Sequence, residues 1–213
     1  MTLKNNGKKL LLAGLAAGAF LYWQDNALTV TQMTCTTMVP KAFHGYKILH
    51  ISDLQNKMFG KNQERLIYKA ECTAPDLIVI TGDLIDRNRT DLDAAMDLIR
   101  GIVKLAPVYY VSGNHEDWSG EYEKIAEMIA SYGVTVLEGE TTKLDLNGNV
   151  IQIAGVNDPD KFSDFSEWES QLEQVKAERN DDDFTILLSH RPELVQWYAE
   201  SGFDLVAAGH AHG

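Results

Sequence analysis

Short apolar runs rich in β-branched residues recur along the chain, and five of them end beside a residue that can bind a metal ion. They cover residues 47–52, 77–81, 108–112, 186–189 and 205–208. Runs of this length, bounded by Gly, Pro and Asp, predict buried parallel strands. In open α/β sheets, ligands gather beyond the carboxyl ends of such strands. The pattern therefore predicts an α/β scaffold that holds one polynuclear metal site.

Helical spacing of apolar residues is readable between these runs. The clearest helix has Thr90 as its N-cap, Asp91 and Asp93 in its first turn, and one apolar face. That face consists of Leu92, Ala95, Met96, Ile99 and Val103. Weaker patterns predict three more helices. They cover residues 62–73, residues 121–132 with Gly133 as a left-handed stop, and residues 166–179 with a capping box of Ser166 and Glu169.

A hairpin is predicted where Asn147-Gly148 separates the strands 142–146 and 150–156, because this dipeptide suits a type I′ turn. An antiparallel hairpin within a β-α-β pattern indicates two sheets packed face to face, with helices on the outside. The expected fold class is therefore α/β, as a four-layer α-β-β-α sandwich.

Composition limits the function further. With 213 residues and 45% hydrophobic content, the chain can bury one good core. Its net charge of −12 argues against a nucleic-acid partner, because phosphate backbones require a cationic surface. An acidic protein still binds a phosphate locally when divalent cations carry the positive charge. The two cysteines, Cys35 and Cys72, imply no disulfide framework.

The amino-terminal segment differs from the rest of the chain. Lys4, Lys8 and Lys9 precede the uncharged stretch 10–23, which at 14 residues is shorter than the roughly 20 that span a bilayer comfortably. It resembles the apolar region of a signal sequence, but no good cleavage site follows. We therefore expect residues 1–26 to be an uncleaved signal anchor that leaves residues 27–213 outside the cytoplasm. The alternative is a cleaved signal peptide and a secreted protein.

The strand-end residues suit a centre of two divalent ions, which requires a bridging carboxylate. Asp83, in a glycine turn after a strand, is the natural bridge. Asp53 then serves one ion, and Asn114 with His190 serves the other, a donor set suited to Mn²⁺, Fe or Zn²⁺. His210 and His212 serve one ion each if their turn is irregular. On an ideal strand they would share a face and serve one ion.

The motifs together resemble the calcineurin-like metallophosphoesterase superfamily. They are Gly82-Asp83-x-x-Asp86, Gly113-Asn114-His115-Glu116, His190 and Gly209-His210-Ala211-His212, in this order. The amino-terminal segment and Ile51-Ser52-Asp53-Leu54 are similar to the membrane-associated bacterial phosphodiesterase branch. The resemblance covers roughly residues 41–213 and implies the sandwich of metallo-dependent phosphatases.

The resemblance also implies roles for individual residues. Asp53 and His212 would bind one metal ion, and Asp83 would bridge the two ions. The second ion would be bound by Asn114, His190 and His210. A hydroxide bridging the metal ions would attack phosphorus, and His115, paired with Asp86, would protonate or steady the leaving group.

Two features depart from the family pattern. The family usually opens with Asp-x-His, whereas here Asp53-Leu54-Gln55 supplies a neutral amide oxygen. If Gln55 is a ligand, the first metal should be looser and biased toward Mn²⁺ or Mg²⁺, so Mn²⁺ is favoured. The sequence also stops one residue after His212, and a ligand at a chain end would fray, so we expect a partial sequence lacking part of the domain.

Three functions follow. The leading one is a two-metal phosphodiesterase or nucleotide-lipid pyrophosphatase that acts on a phosphorylated small molecule or lipid-linked substrate beside a membrane. The alternative is a non-catalytic metal- or phosphate-binding module of the same fold, and the third is a single-metal amidohydrolase-like enzyme.

Some residues near the motifs are expected to have no ligand role. His44 and His50 are structural or surface residues, and residues 157–159 form a turn. Three loop arginines either face solvent or contact a substrate phosphate. These arginines are Arg87, Arg89 and Arg191.

Overall fold

A computed structural model describes residues 2–36, 39–89 and 91–212, and the chain forms two compact units, residues 1–34 and 35–213. The first unit contains helix α1 (Thr2–Asn26). Large apolar side chains are exposed along this helix, among them Leu11, Leu15, Phe20 and Trp23. Within the described ranges, no helix is both long enough and apolar enough to cross a membrane.

The second unit contains two four-stranded sheets. The first is parallel throughout, in the order β1 (Ile48–Ile51), β2 (Leu77–Thr81), β3 (Val108–Val111) and β4 (Thr135–Val136). The second has the order β5 (Thr141–Leu146), β6 (Asn149–Gly155), β7 (Phe184–Leu188) and β8 (Leu205–Ala207). In it, β5 is antiparallel to β6, and the other neighbours are parallel. The five apolar runs form strands as predicted, namely β1, β2, β3, β7 and β8.

Six α-helices belong to this unit in the described ranges. They are α2 (Glu64–Thr73), α3 (Asp93–Ile102), α4 (Asn114–Ser119), α5 (Tyr122–Ser131), α6 (Phe165–Ala177) and α7 (Val195–Ser201). Because successive strand residues point to opposite faces, each sheet can bury both of its faces. On β2, for example, Ile78 and Ile80 pack with α3 and α5, whereas Leu77 and Val79 pack with the second sheet.

Three hydrophobic clusters define the layers. The first joins the first sheet to its helices, and the second lies between the two sheets. The third joins the second sheet to α6 and α7 through Ala154, Leu187, Trp168, Leu172 and Tyr198. The order of layers is therefore helices, sheet, sheet, helices. This agrees with the predicted α/β sandwich.

Local patterns mostly correspond to the elements observed. The apolar face of α3 is correct, since Ala95, Met96 and Ile99 are buried. Its predicted start is wrong: the helix begins at Asp93 with Leu92 at the N-cap position, so Asp91 precedes the first turn, and Thr90 lies outside the described residues. The hairpin turn has positive φ angles of 55° at Asn147 and 80° at Gly148, as a type I′ turn requires.

The predicted capping box of α6 is wrong. The helix begins at Phe165, and Asp164 is its N-cap, with a side-chain oxygen that accepts the Ser166 N–H at 2.8 Å. Asp164 lies in extended backbone and reaches this free N–H two residues further on, so Ser166 is already inside the first turn. Glu169 consequently has no cap to complete.

Candidate metal centre

The side chains that follow five parallel strands meet at one edge of the double sheet. Asp53 follows β1, Asp83 follows β2, Asn114 follows β3, His190 follows β7, and His210 follows β8. Among the described residues, Asp83, His190 and His210 offer ligand atoms that all lie within 4.8 Å of one another. Strands from both sheets thus contribute to one cluster, as the strand-end pattern predicts.

His190 lies at the middle of the buried half of this cluster. Its Nε2 atom is 3.1 Å from Asn114 Oδ1, 3.2 Å from His210 Nδ1 and 3.3 Å from Asp83 Oδ2. Its other ring nitrogen, Nδ1, donates to the carbonyl oxygen of Thr81 at 2.6 Å. A neutral imidazole held in this way directs the lone pair of Nε2 at the other three groups, which is how protein imidazoles bind metals.

The mutual effect of Asp83 and His190 favours a positive charge at the cluster. Burial works against a charged His190, but the hydrogen bond and charge of Asp83 raise the pKa of His190 to about 9. Burial likewise works against an ionised Asp83, but His190 and the backbone N–H of His115 lower its pKa. A proton on His190 supplies this charge, and a divalent ion among the same donors would supply it equally.

The other half of the cluster is more exposed. His212 Nε2 lies 3.8 Å from Asp53 Oδ1 and 3.2 Å from the amide nitrogen of Gln55. That amide nitrogen is also 3.5 Å from Asp83 Oδ2. A metal ligand would have to be the amide oxygen, and a 180° rotation of the terminal amide exchanges the two atoms. Asp83 Oδ2 thus lies 3.5 Å from Gln55 in this half and 3.3 Å from His190 in the buried half. A bridging carboxylate requires such contacts with both halves.

The backbone decides which half each carboxy-terminal histidine joins. His210 and His212 both have positive φ angles, 65° and 57°, so the turn after β8 is irregular. His210 directs Nδ1 at His190, whereas His212 directs Nε2 at Asp53 and Gln55. Of the two arrangements open from sequence, the structure has the one that separates the imidazoles.

Left-handed backbone recurs around the centre. Asp53, Gln55 and Asp83 have φ angles of 56°, 45° and 54°. Such angles are uncommon outside glycine, cost on the order of 1 kcal/mol or more each, and cluster at functional sites. Bonds between the loops hold them: Gln55 N–H donates to the Asp83 carbonyl at 2.9 Å, and Asp53 N–H donates to the Gly82 carbonyl at 3.2 Å.

Two glycines allow the loops after β2 and β3 to touch. A Cβ atom on Gly82 would lie 2.3 Å from Gly113 N, and one on Gly113 would lie 2.3 Å from Asp83 Oδ1. A side chain at Gly82 would therefore push the two loops apart, and one at Gly113 would displace the Asp83 carboxylate. This contact explains why a glycine precedes the ligand in both motifs.

His115 is oriented by the backbone. Its Nδ1 accepts the Arg87 N–H at 3.1 Å, so neutral His115 carries its proton on Nε2, which lies 3.9 Å from Asp83 Oδ2. Asp86 is adjacent, with Oδ1 at 3.6 Å from Nδ1, but this oxygen accepts from the backbone and side chain of Asn88. The pairing implied by the resemblance is thus a contact beyond hydrogen-bond length.

Other predicted residues lie outside the cluster. The Arg87 guanidinium stacks on the Trp118 ring at 4.3 Å, and the Trp118 ring lies 5.7 Å from that of His115. Arg89 is exposed. His50 bonds Thr81 Oγ1 at 2.7 Å, and His44 bonds a backbone carbonyl, as expected for histidines without a ligand role.

Sequence reasoning missed two buried carboxylates that support the centre. One is Asp158, assigned only to a turn. It is fully buried and forms a bidentate pair with Arg191 at 2.6 and 3.0 Å, and Asp160 joins at 2.6 Å. These carboxylates raise the pKa of Arg191, although burial opposes the charge. Arg191 Nη1 in turn lies 3.3 Å from His210 Nε2, so this arginine faces carboxylates and a candidate ligand rather than open solvent.

The second is Glu116, which is fully buried behind Asp83. Burial and the charge of Asp83 raise the pKa of Glu116 to about 7, against the opposing effect of backbone N–H groups. The signal that could have revealed it is its position: a glutamate at the third residue of a helix reaches back to the N-cap N–H. Here that N–H belongs to Gly113, and the bond is 2.8 Å long.

The donor set fits divalent cations. Asn114, His190 and His210 would hold one ion together with Asp83, and Asp53, Gln55 and His212 would hold the other, also with Asp83. Carboxylate, amide and imidazole donors suit Mn²⁺, Fe and Zn²⁺ alike. The lone pairs converging on His190 Nε2 are the observation that supports the fit.

Fold and site together define an α/β protein with a candidate metal centre at the carboxyl ends of its strands. Residues 46–213 match the family described as Calcineurin-like phosphoesterase, and the chain belongs to this family. It is 31% identical to an uncharacterized metallophosphoesterase of Campylobacter jejuni over 89% of this chain and 50% of that protein. It is 25% identical to a bovine transmembrane protein with a metallophosphoesterase domain, over 89% of this chain and 45% of that protein. The chain thus spans about half the length of these relatives.

One solved chain supports the fold. It superposes with a TM-score of 0.55 at 12% identity, covering 76% of this chain and 83% of that chain.

Proposed function

We propose that this protein is a two-metal phosphoester hydrolase. The observation that carries the proposal is the convergence of Asp83, His190 and His210 within 4.8 Å, with Asp83 also reaching the pair of Gln55 and His212. A carboxylate shared between two groups of donors is what a pair of ions about 3.5 to 4 Å apart requires. Membership of the calcineurin-like phosphoesterase family supports the same reaction class.

The chain's own residues would divide the work. When bound, two divalent ions supply an activated water and positive charge for the phosphoryl oxygens. Asp83 would hold both ions, and the Thr81 carbonyl keeps the His190 imidazole in the orientation a ligand needs. His115 presents Nε2–H toward the centre, where it would donate a hydrogen bond that steadies the leaving oxygen.

We further propose a substrate class and a location. The substrate would be a phosphodiester or a nucleotide-lipid pyrophosphate, and residues 1–26 would anchor the protein with its catalytic unit outside the cytoplasm. Three lysines before the apolar stretch 10–23 and the exposed apolar side chains of α1 support this proposal. The name of the bovine relative, a transmembrane protein, is in keeping with it. Among metals, Mn²⁺ is favoured because Gln55 offers an oxygen donor.

The test is a panel assay of the full-length protein. Phosphomonoesters, phosphodiesters and nucleotide-lipid pyrophosphates would be supplied with Mn²⁺, Mg²⁺ and Zn²⁺ in turn, and Asp83→Asn would be the negative control. Turnover of a diester or pyrophosphate that Asp83→Asn abolishes is the expected result. Tight binding of metal without turnover of any phosphoester would instead favour the non-catalytic module. Fractionation of cells into membrane and soluble parts tests the anchor separately.

A further inference from the structure

We infer that Glu116 is a positioning residue: its carboxylate clamps the loops after β2 and β3, and thereby sets the geometry in which Asp83 and Asn114 bind metal ions. This role rests on the proposed metal centre. Glu116 itself would touch neither metal nor substrate. It is a support shared by both ion positions, since Asp83 contacts both halves.

Four backbone N–H groups donate to this one carboxylate. Oε2 accepts from Asp83 at 2.8 Å and from Gly113 at 2.8 Å. Oε1 accepts from Leu84 at 2.7 Å and from Ile85 at 3.2 Å. All four partners are donors, so the ionised carboxylate is the form that matches them. Both oxygens are occupied, and Glu116 has no exposed surface.

The clamp and the unusual backbone of Asp83 depend on each other. Positive φ angles of 82° at Gly82 and 54° at Asp83 turn successive N–H groups toward the interior, where they form a concave anion site. The same turn directs the Asp83 side chain at His190 and Gln55. Without the carboxylate, these buried donors would lack acceptors, and the turn would relax toward a less strained conformation. Asp83 would move with it.

Glu116 also ties the second loop to the first. Its bond to Gly113 N–H joins the residue before Asn114 to the Asp83 turn, and His115 N–H donates to Asp83 Oδ1 at 2.9 Å. The two loops are thus cross-linked at the point where neither glycine tolerates a side chain. A change at Glu116 should therefore displace ligands on both loops together and so weaken metal binding, rather than disturb a single ligand.

Neither close relative of glutamate can replace it fully. Glutamine has one acceptor oxygen and an NH₂ group, which would face N–H donors. Aspartate keeps both oxygens but is one methylene shorter, and therefore cannot reach both loops from the same helix position. Asp117 is the matched control. It is the next residue of α4 and is partly buried, but its side chain contacts Ser112 Oγ at 3.3 Å and none of the four N–H groups that bond Glu116.

The experiment compares Glu116→Gln with wild type and Asp117→Asn in the full chain. Metal is removed with a chelator, and Mn²⁺ and Zn²⁺ are titrated calorimetrically, with circular dichroism and thermal unfolding as checks of folding. We expect about 10–100-fold weaker metal binding in Glu116→Gln, the usual cost of losing a group that orients ligands, and affinities near wild type in Asp117→Asn. A folded Glu116→Gln with wild-type affinity for both metals overturns the inference.

A second variant and a hydrogen-exchange measurement test the same role of Glu116. If Glu116→Gln does not fold, Glu116→Asp is titrated instead, and wild-type affinity there overturns the inference. Amide hydrogen exchange in the wild type must show the N–H groups of residues 83–85 and 113 protected, and fast exchange at these positions would contradict the clamp. Failure of the proposed function is distinguishable from failure of this inference, because the wild-type protein itself would then bind no metal or hydrolyse no phosphoester.

Discussion

The two halves of the candidate centre are built differently. In one half, Asn114 and His190 have almost no exposed surface, and the Thr81 carbonyl fixes the His190 imidazole. In the other, the side chain of His212 is 54% exposed, and Gln55 provides a neutral amide. Asp83 belongs to both. A centre with one enclosed and one open position combines a strongly held ion with access for a substrate.

This difference predicts that the two halves bind metal ions with different affinities. Ligands oriented beforehand by hydrogen bonds lose little freedom when an ion binds, so the enclosed half should bind first and more tightly. The open half has an exposed imidazole and an uncharged donor at position 55, so its ion should exchange more readily. Four predictions test this asymmetry.

The largest effect is expected for Asp83→Asn. Asparagine lacks the charge and the second ligating oxygen, so both halves lose their shared donor. We expect hydrolysis to fall by at least about 1,000-fold, the scale seen when a central electrostatic group is removed. Bound metal, measured by mass spectrometry after dialysis, should fall for both ions. Gln55→Ala should retain clearly more activity at saturating Mn²⁺, and equal residual activity in the two variants would contradict the bridging role.

A second pair of variants compares the halves directly. His190→Ala should weaken the tighter binding step by more than the roughly 10–100-fold cost of losing a ligand's hydrogen-bond partner, because a ligand itself is removed. His212→Ala should affect only the weaker step. Titration of both variants with Mn²⁺ under one buffer condition measures the two steps. The asymmetry is refuted if the two substitutions weaken the same step equally.

His115→Ala should separate catalysis from metal binding. His115 touches Asp83 through its backbone N–H, which alanine keeps, so metal content should change little. Turnover should fall on the order of 100-fold, at the low end of the range for loss of one hydrogen-bond donor to a developing oxyanion. Steady-state kinetics and metal analysis on the same preparation measure both quantities. Loss of both metals would reassign His115 as a ligand.

The smallest effect is expected for Gln55→His. Imidazole is a softer and better donor than an amide oxygen, so the open half should bind Zn²⁺ more tightly, by about 10-fold, and prefer it more strongly over Mn²⁺. The enclosed half should keep its affinities and serves as the internal control. Unchanged titrations for both metals would mean that position 55 faces away from the ion.

Much of the fold was readable from the residues alone. The five strand runs are continuous and apolar because parallel strands are covered on both faces, and Asn147-Gly148 specifies its turn through backbone freedom that few other residues possess. Ligand candidates at the strand ends followed from the same argument. The α6 cap was misplaced because Asp164 and Ser166 both fit the local rule, and helix boundaries depend on which one the backbone presents.

Only the tertiary structure decided how the ligands are shared. The separation of His210 from His212 depends on two left-handed residues, and although histidine is enriched among the few non-glycine residues with positive φ, that enrichment does not specify either position. The roles of Glu116 and Asp158 depend mostly on partners 31 to 33 positions away in the chain: Glu116 lies 31 to 33 residues from its donors at 83–85, and Asp158 lies 33 from Arg191. Local sequence determines strands, turns and donor types. Which buried carboxylate meets which loop is determined by packing, because the partners are far apart in the chain and only the folded sheets bring them together.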